Sequence, residues 1–279
     1  MQIRLASHYG FCFGVKRAIN IAQKHKSSNT MGPLIHNQNE IDRLKNSFDI
    51  GLYHTLDEVK KNDTIIIRTH GITKENMLKL KSKDTNIINA TCPYVTTLQN
   101  IVKNIDDTSY SIVIFGDAKH PEVMGVKSWA KNQKDIYVVL TAEELDDISF
   151  KHDKVAIVAQ TTRNKEKFLE VANKLILNFK EVKVFNTICD ATLQNQEATK
   201  DLSKESDIMI VIGGKNSSNT RQLFNISKEF CKDSYLIENS SELDTSWAKD
   251  KQKCGITAGA STPDWIIEEV IEKLKETNE

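Results

Sequence analysis

Short apolar, β-branched runs recur along the chain at positions 3–6, 64–68, 87–89, 111–115, 136–140, 155–159, 182–185, 207–212, 235–237 and 255–258. They are apolar on both sides rather than alternating, the pattern of strands covered on both faces. Between them lie stretches with apolar residues at helical spacing, at 15–26, 74–81, 94–104, 163–179, 220–230 and 263–275. Strand and helix in alternation predict an α/β fold with parallel sheets. No low-complexity segment or proline-rich linker marks a boundary. Cys12, Cys92 and Cys189 stand roughly ninety residues apart, the size of a small α/β domain, so the expected division is into three domains at 1–93, 94–186 and 187–279. No sequence identity between the thirds is evident, so any repeat is structural.

The candidate chemistry collects where apolar runs stop, and in open α/β sheets ligands sit beyond the carboxyl ends of the strands. Cys92 follows the run at 87–89 and precedes Pro93, which suits a first helical turn. Thr91 or Cys92 reads as the helix N-cap. A thiol there meets the positive end of the helix dipole, which favours thiolate. Cys12 and Cys189 stand in the same strand-to-helix context, so three widely spaced cysteines could converge on one soft metal centre. Other strand ends deliver His70, His120 with Glu122, and Gln160 with Thr161 and Thr162. The loops at 213–219 and 259–262 combine glycines, hydroxyls and helix starts, which together make anion pockets.

Composition narrows the picture by exclusion. Lys+Arg and Asp+Glu both number 38 in 279 residues, so no global basic field points to nucleic acid. The first residues carry no apolar signal region, and no run reaches transmembrane length. Five cysteines are too few for a disulfide scaffold, and the expectation is a cytoplasmic protein with reduced thiols or metal ligands. Several motifs fail on inspection. Gly213-Gly214-Lys215-Asn216 lacks the first glycine and the final Ser/Thr of a phosphate-binding loop. Gly10 and Gly14 do not make a dinucleotide fingerprint, His120-x-Glu122 lacks the following P-C-x-x-C of a zinc deaminase, and no two cysteines have zinc-ribbon spacing. Taken singly, each residue also has an ordinary reading: a buried cysteine as a small hydrophobe, Ser217, Ser218 and Ser261 as helix caps, His70 and His120 as structural histidines, Glu122 as a first-turn carboxylate. Cys231 and Cys254 lack the strand-end setting and are expected to be structural.

The combination is more specific than its parts. Gly10-Phe11-Cys12-x-Gly14-Val15, Gly32-Pro33-Leu34-Ile35-His36-Asn37, Ala90-Thr91-Cys92-Pro93 and Gly116-x4-Pro121-Glu122 follow one another in the first half of the chain. Gln160-Thr161-Thr162, Thr187-Ile188-Cys189-x-Ala191-Thr192, Lys215-Asn216-Ser217-Ser218-Asn219 and Thr257-Ala258-Gly259-Ala260-Ser261 complete the series. In this order the eight motifs closely resemble the 4-hydroxy-3-methylbut-2-enyl diphosphate reductase family of the non-mevalonate isoprenoid pathway, from Cys12 to Ser261. The resemblance implies three similar α/β domains around a central cavity that holds a 4Fe-4S cluster. It implies Cys12, Cys92 and Cys189 as cluster ligands, leaving one iron open to the substrate's hydroxyl. Glu122 matches the family's acid, with Thr161 helping to hold that hydroxyl. His36, His70, His120, Ser217, Ser218, Asn219 and Ser261 match the diphosphate-binding positions. The implied partners are a small diphosphate substrate and an electron donor such as flavodoxin or ferredoxin, with no nucleic acid and no membrane. Phe13, Asp190 and Asn195 depart from the commoner residues at their positions, none of them a ligand. A hydro-lyase needing no electrons and an iron–sulfur redox sensor are the competing classes; a sensor has no use for the polar loop at 215–219.

Overall fold

The computed structural model describes residues 1–105, 109–131 and 133–276. In chain order the first elements are β1 (Gln2–Leu5), α1 (Phe13–Lys24), β2 (Asn29–Met31), α2 (Gln38–Phe48), β3 (Gly51–Tyr53), β4 (Thr64–Ile67), α3 (Lys74–Ser82) and β5 (Asn86–Asn89). Then come α4 (Pro93–Asn104), β6 (Tyr110–Phe115), α5 (Pro121–Trp129), β7 (Ile136–Val139), β8 (Lys154–Ala159), α6 (Lys165–Asn178) and β9 (Glu181–Phe185). The last are α7 (Asp190–Lys204), β10 (Ile208–Ile212), α8 (Ser218–Phe230), β11 (Ser234–Ile237), β12 (Lys253–Ala258) and α9 (Asp264–Glu276). The α/β class expected from the pattern is the class observed. Two short strands, β2 and β3, escaped it because Asn29 and Gly51 are poor strand signals. Helix α2 escaped it too, while α5 and α7 were expected only as helix starts, at Glu122 and after Cys189. The first is mostly polar, the second opens on proline and contains Gly125, and the third buries Thr192, Asn195, Gln196 and Thr199 instead of a clear apolar stripe. Among the described residues no helix is long and apolar enough to cross a membrane.

The strands form three four-stranded parallel sheets, ordered β3-β2-β4-β5, β7-β6-β8-β9 and β1-β12-β10-β11. All three share one topology. The second strand lies on one side of the first, the third on the other, and the fourth beyond the third. In the last sheet β1 fills the fourth position, with Leu5 opposite Ile256. Sheet membership therefore crosses the contiguous thirds expected from the cysteine spacing, because β12 takes its outer neighbour from the other end of the sequence.

The chain forms two compact units. One comprises Met1–Lys16, Ile35–Ser47 and Asp190–Glu279 and is built on the sheet of β10 and β12. Ile208, Ile210 and Ile212 point to one face and pack with Ile256 and with Ile266, Val270 and Leu274 of α9. Met209 points to the other face, toward Ala6, Ala198, Leu202 and Cys231. Period-two alternation with both faces apolar is what a helix-covered parallel sheet requires. Helix α2 is fastened to α9 here: buried Glu40 accepts from Trp265 Nε1 at 3.2 Å and from Arg43 Nε and Nη2 at 2.8 and 2.6 Å. The other unit comprises Arg17–Leu34 and Phe48–Cys189 and contains the remaining two sheets. Ile65 and Ile67 pack with Met31, Val59 and Leu80, while Ile112, Ile114 and Val158 pack with Leu98, Val102, Val123 and Val126.

Candidate functional site

The shared topology puts corresponding residues at the carboxyl ends of all three sheets. A glycine follows each first strand, and its N–H donates to the last residue of the second: Gly32 to Tyr53 at 2.9 Å, Gly116 to Val139 at 2.9 Å, Gly213 to Ile237 at 2.8 Å. The loops that follow carry His36, His120 and Ser217 at the same distance from their strands. After each third strand, at matching positions, come His70, Thr162 and Ser261. The residues before those three, Thr69, Thr161 and Ala260, offer their carbonyls to cysteine N–H groups. Cys92 donates to Thr69 at 2.9 Å, Cys189 to Thr161 at 2.9 Å and Cys12 to Ala260 at 3.3 Å. Each cysteine thus leaves a fourth strand, is tied to the end of the third, and opens a helix. Cys92 is the N-cap of α4 with Pro93 following, so of the two expected caps it is the cysteine that serves. All three thiols are part-buried, whereas Cys231 and Cys254 are buried. Burial pushes the Cys254 thiol up to about 12 and raises that of Cys231, the setting of inert core thiols.

In the unit that holds β6 and β8, the crevice between these strands is where the order of connection reverses, the usual ligand position. Gln160 spans it, accepting from Asp117 N at 3.0 Å and from Arg163 Nε at 3.1 Å. His120 caps α5 with its ring: Nδ1 accepts from Glu122 N at 3.2 Å, so the neutral ring carries its proton on Nε2. Pro121 follows at a position that needs no N–H, which leaves Glu122 in the first turn, 1 % exposed. Its carboxyl accepts from Thr161 N at 2.7 Å and Thr161 Oγ1 at 2.8 Å. Burial raises the Glu122 pKa above its ordinary value, partly offset by the two Thr161 bonds and the positive Arg163. A carboxyl so placed holds its proton more tightly than an exposed glutamate and can deliver it at one atom. His70 and His120 meet edge to face, ring centres 5.2 Å apart.

In the other unit Ser217 caps α8, accepting from Thr220 N at 3.3 Å. Ser218 and Asn219 begin the helix, and both side-chain polar atoms of Asn219 are buried without a hydrogen-bond partner. An amide in that condition costs free energy unless a ligand or water completes it. Ser261 Oγ donates to the carbonyl of His36 at 3.2 Å, and the backbone of Gly214 lies against the same carbonyl. His36, Ser261 and the 213–219 loop are thereby held together, with Cys12 fastened to the neighbouring residue Ala260.

Two features were not legible beforehand. Thr220 is fully buried with an unpartnered hydroxyl, packed beneath Gly213 and Gly259. Arg68 follows β4 with its guanidinium bonded to the Gly71 carbonyl at 3.3 Å, although few arginines flank the motifs. A β-branched polar residue inside a helix and an arginine after an apolar run carry no local signal of their surroundings.

Known proteins resemble this chain over nearly its full length. A family model described as LytB protein matches residues 3–275. A 4-hydroxy-3-methylbut-2-enyl diphosphate reductase of a Sulfurovum species is 58% identical over 275 residues, covering 99% of this chain and 99% of that protein. The Campylobacter concisus protein of the same name is 56% identical, again covering 99% of each. A solved structure of (E)-4-hydroxy-3-methyl-but-2-enyl diphosphate reductase, the terminal enzyme of the non-mevalonate pathway, matches with TM-score 0.71 at 45% identity, over 98% of this chain and 99% of that one. The reductase structure from Plasmodium falciparum matches with TM-score 0.90 at 25% identity, over 97% and 86%.

Proposed function

The chain belongs to the LytB protein family, and from that membership we propose that it is a 4-hydroxy-3-methylbut-2-enyl diphosphate reductase. The reaction replaces the allylic C–OH of the substrate by C–H, consuming two electrons and two protons and releasing water. The products are isopentenyl and dimethylallyl diphosphate. The observation that carries the reading is the equivalence of Cys12, Cys92 and Cys189, each tied by its N–H to the end of a third strand and each opening a helix.

Three part-buried thiols at helix starts are a soft donor set suited to iron and sulfide, while Cys231 and Cys254 are enclosed in the core. Cys12, Cys92 and Cys189 would hold a 4Fe-4S cluster. When bound, such a cluster supplies electron transfer and Lewis-acid character. Glu122 supplies the proton that lets hydroxide leave as water, a poor leaving group becoming a good one. Thr161 Oγ1, bonded to Glu122, lies on the proton's route and orients the substrate hydroxyl. The diphosphate is held by His36, His70, His120, Ser217, Ser218, Asn219 and Ser261. Hydroxyls, an amide, imidazoles and the amino ends of α5 and α8 bind the anion through N–H and O–H groups. The Asn219 amide gains the partners it lacks. The electrons come from an external one-electron carrier of the flavodoxin or ferredoxin kind, in the cytoplasm.

Anaerobic purification with iron and sulfide analysis tests the assignment. The expected outcome is a brown protein with about four irons per chain that turns over only with a reductant. Serine at position 12, 92 or 189 removes iron and turnover, and serine at 231 or 254 keeps both. Water loss without reductant would make it a hydro-lyase instead, and retention of the cluster by Cys12→Ser would refute the ligand assignment.

A further inference from the structure

The unit that contains β4, β5 and α4 carries an open cleft of 420 Å³ that none of the residues assigned above lines, apart from neighbours of His70 and Cys92. Its volume falls in the range of small-molecule sites, roughly 300–1,000 Å³. One side is apolar, formed by Ile72, Met77, Ile87 and Trp129. Among the described residues that line it, the charged ones are of one sign. Exposed Lys81 and Lys103 line it, and among the described residues no carboxylate does. Behind the wall, Arg17 donates to the carbonyls of Thr91 at 3.2 Å and Asn89 at 3.3 Å, and Arg68 donates to that of Gly71. Thr91, Asn89 and Gly71 all line the cavity. Among the described residues none of these four cations is in an ion pair. Burial holds the Arg68 guanidinium below its ordinary value with no carboxylate to offset it. Gln99 adds a donor: its buried Nε2 lacks a hydrogen-bond partner and sits 2.8 Å from where a side chain on Gly71 would begin.

A buried amide donor without a hydrogen-bond partner is costly to keep unless a ligand or water completes it, and the two exposed lysines on the lining favour an anion as that ligand. The apolar side adds a requirement that a bare inorganic anion does not meet. We propose that this cavity binds a small organic anion with an apolar body, its head group between Lys81, Lys103 and Gln99 and its body against Ile72, Met77, Ile87 and Trp129. Thr91, on the cavity lining, directly precedes Cys92. The binding itself does not depend on which reaction the strand-end site performs.

Titration calorimetry on the cluster-loaded protein tests the proposal, with inorganic diphosphate present to fill the strand-end site. Geranyl diphosphate and decanoate are the probes, distinguishing a phosphorylated from a carboxylate head group, and geraniol supplies a body with no charge. The expected result is binding of at least one of the two anions, no binding of geraniol, and about tenfold or greater weakening in the double variant Lys81→Glu/Lys103→Glu. Both lysines are exposed, so the variant keeps the fold. Hydrogen exchange on the same samples locates the ligand: protection falls on 71–77 and 96–103 in the wild type and is lost in the variant. Absence of binding by both anions would overturn the proposal. So would equal affinity in wild type and variant, or protection confined to the strand-end loops.

Discussion

At the scale of single residues, Glu122 has surroundings far from those of a surface carboxylate. It is enclosed, held by both donors of Thr161, and its pKa lies above the ordinary 4.5. The consequences for activity and stability differ. Glu122→Gln keeps the shape and removes the proton, so turnover falls by about 100-fold or more while substrate still binds. For stability, the folded state binds the proton more tightly than the unfolded state. Glu122 therefore contributes fully below 4.5, and that contribution is lost as pH rises through the folded value. The glutamine has no such loss. Thermal melts of both proteins from pH 4 to 8 should show the variant gaining on the wild type as pH increases; parallel curves would mean that burial does not perturb this carboxyl.

At the scale of elements, the loop between β10 and α8 depends on two glycines. Gly213 has φ +146°, a conformation closed to other residues without strain, and a side chain there would press on Thr262 and Thr220. Gly214 faces the carbonyl of His36, and a methyl group would overlap it. That carbonyl also accepts from Ser261, so displacing it disturbs both partners of the 213–219 loop. Gly214→Ala should cost about 1–3 kcal/mol of stability by overpacking, and should weaken binding of inorganic diphosphate in a calorimetric titration. Unchanged stability and affinity would show that the segment at 35–37 yields freely. The anchorage of α2 through Glu40 and Trp265 opposes such yielding.

At the scale of the molecule, the first strand belongs to the last sheet. β1 pairs with β12 over four residues, and Ile3 packs on the core of Ile208, Ile256 and Ile266. Strands in one hydrogen-bonded sheet open together more readily than strands in different sheets. Amide exchange in β1 should therefore follow that of β12 and β10, and a destabilising change such as Ile210→Ala, which removes part of a fully buried side chain, should speed exchange in all three. Exchange of β1 in step with β2 and β4 instead would contradict the pairing.

The fold class, and the strand-end motifs from which the proposed chemistry is drawn, were readable from the amino-acid order. Parallel strands buried on both faces must be continuous apolar runs, and loops beyond them can be polar, so the strand-end motifs stood out against their surroundings. The series from Gly10 to Ser261 was specific because motif identity is local. The tertiary structure decided what depends on partners distant in sequence. It paired β1 with β12, because a three-residue or four-residue strand has no preference for a neighbour until hydrogen bonds form. It set α2 and the extent of α5 and α7, whose polar residues are buried by contacts that no periodicity announces. It gave Glu122 its raised pKa, because a carboxylate in a first helical turn is ordinary until Thr161 and the surrounding core enclose it. It also brought Lys81 of α3 and Lys103 of α4 to one cavity, with Gln99 and the apolar Ile72, Met77, Ile87 and Trp129, residues from separate segments that no local pattern groups.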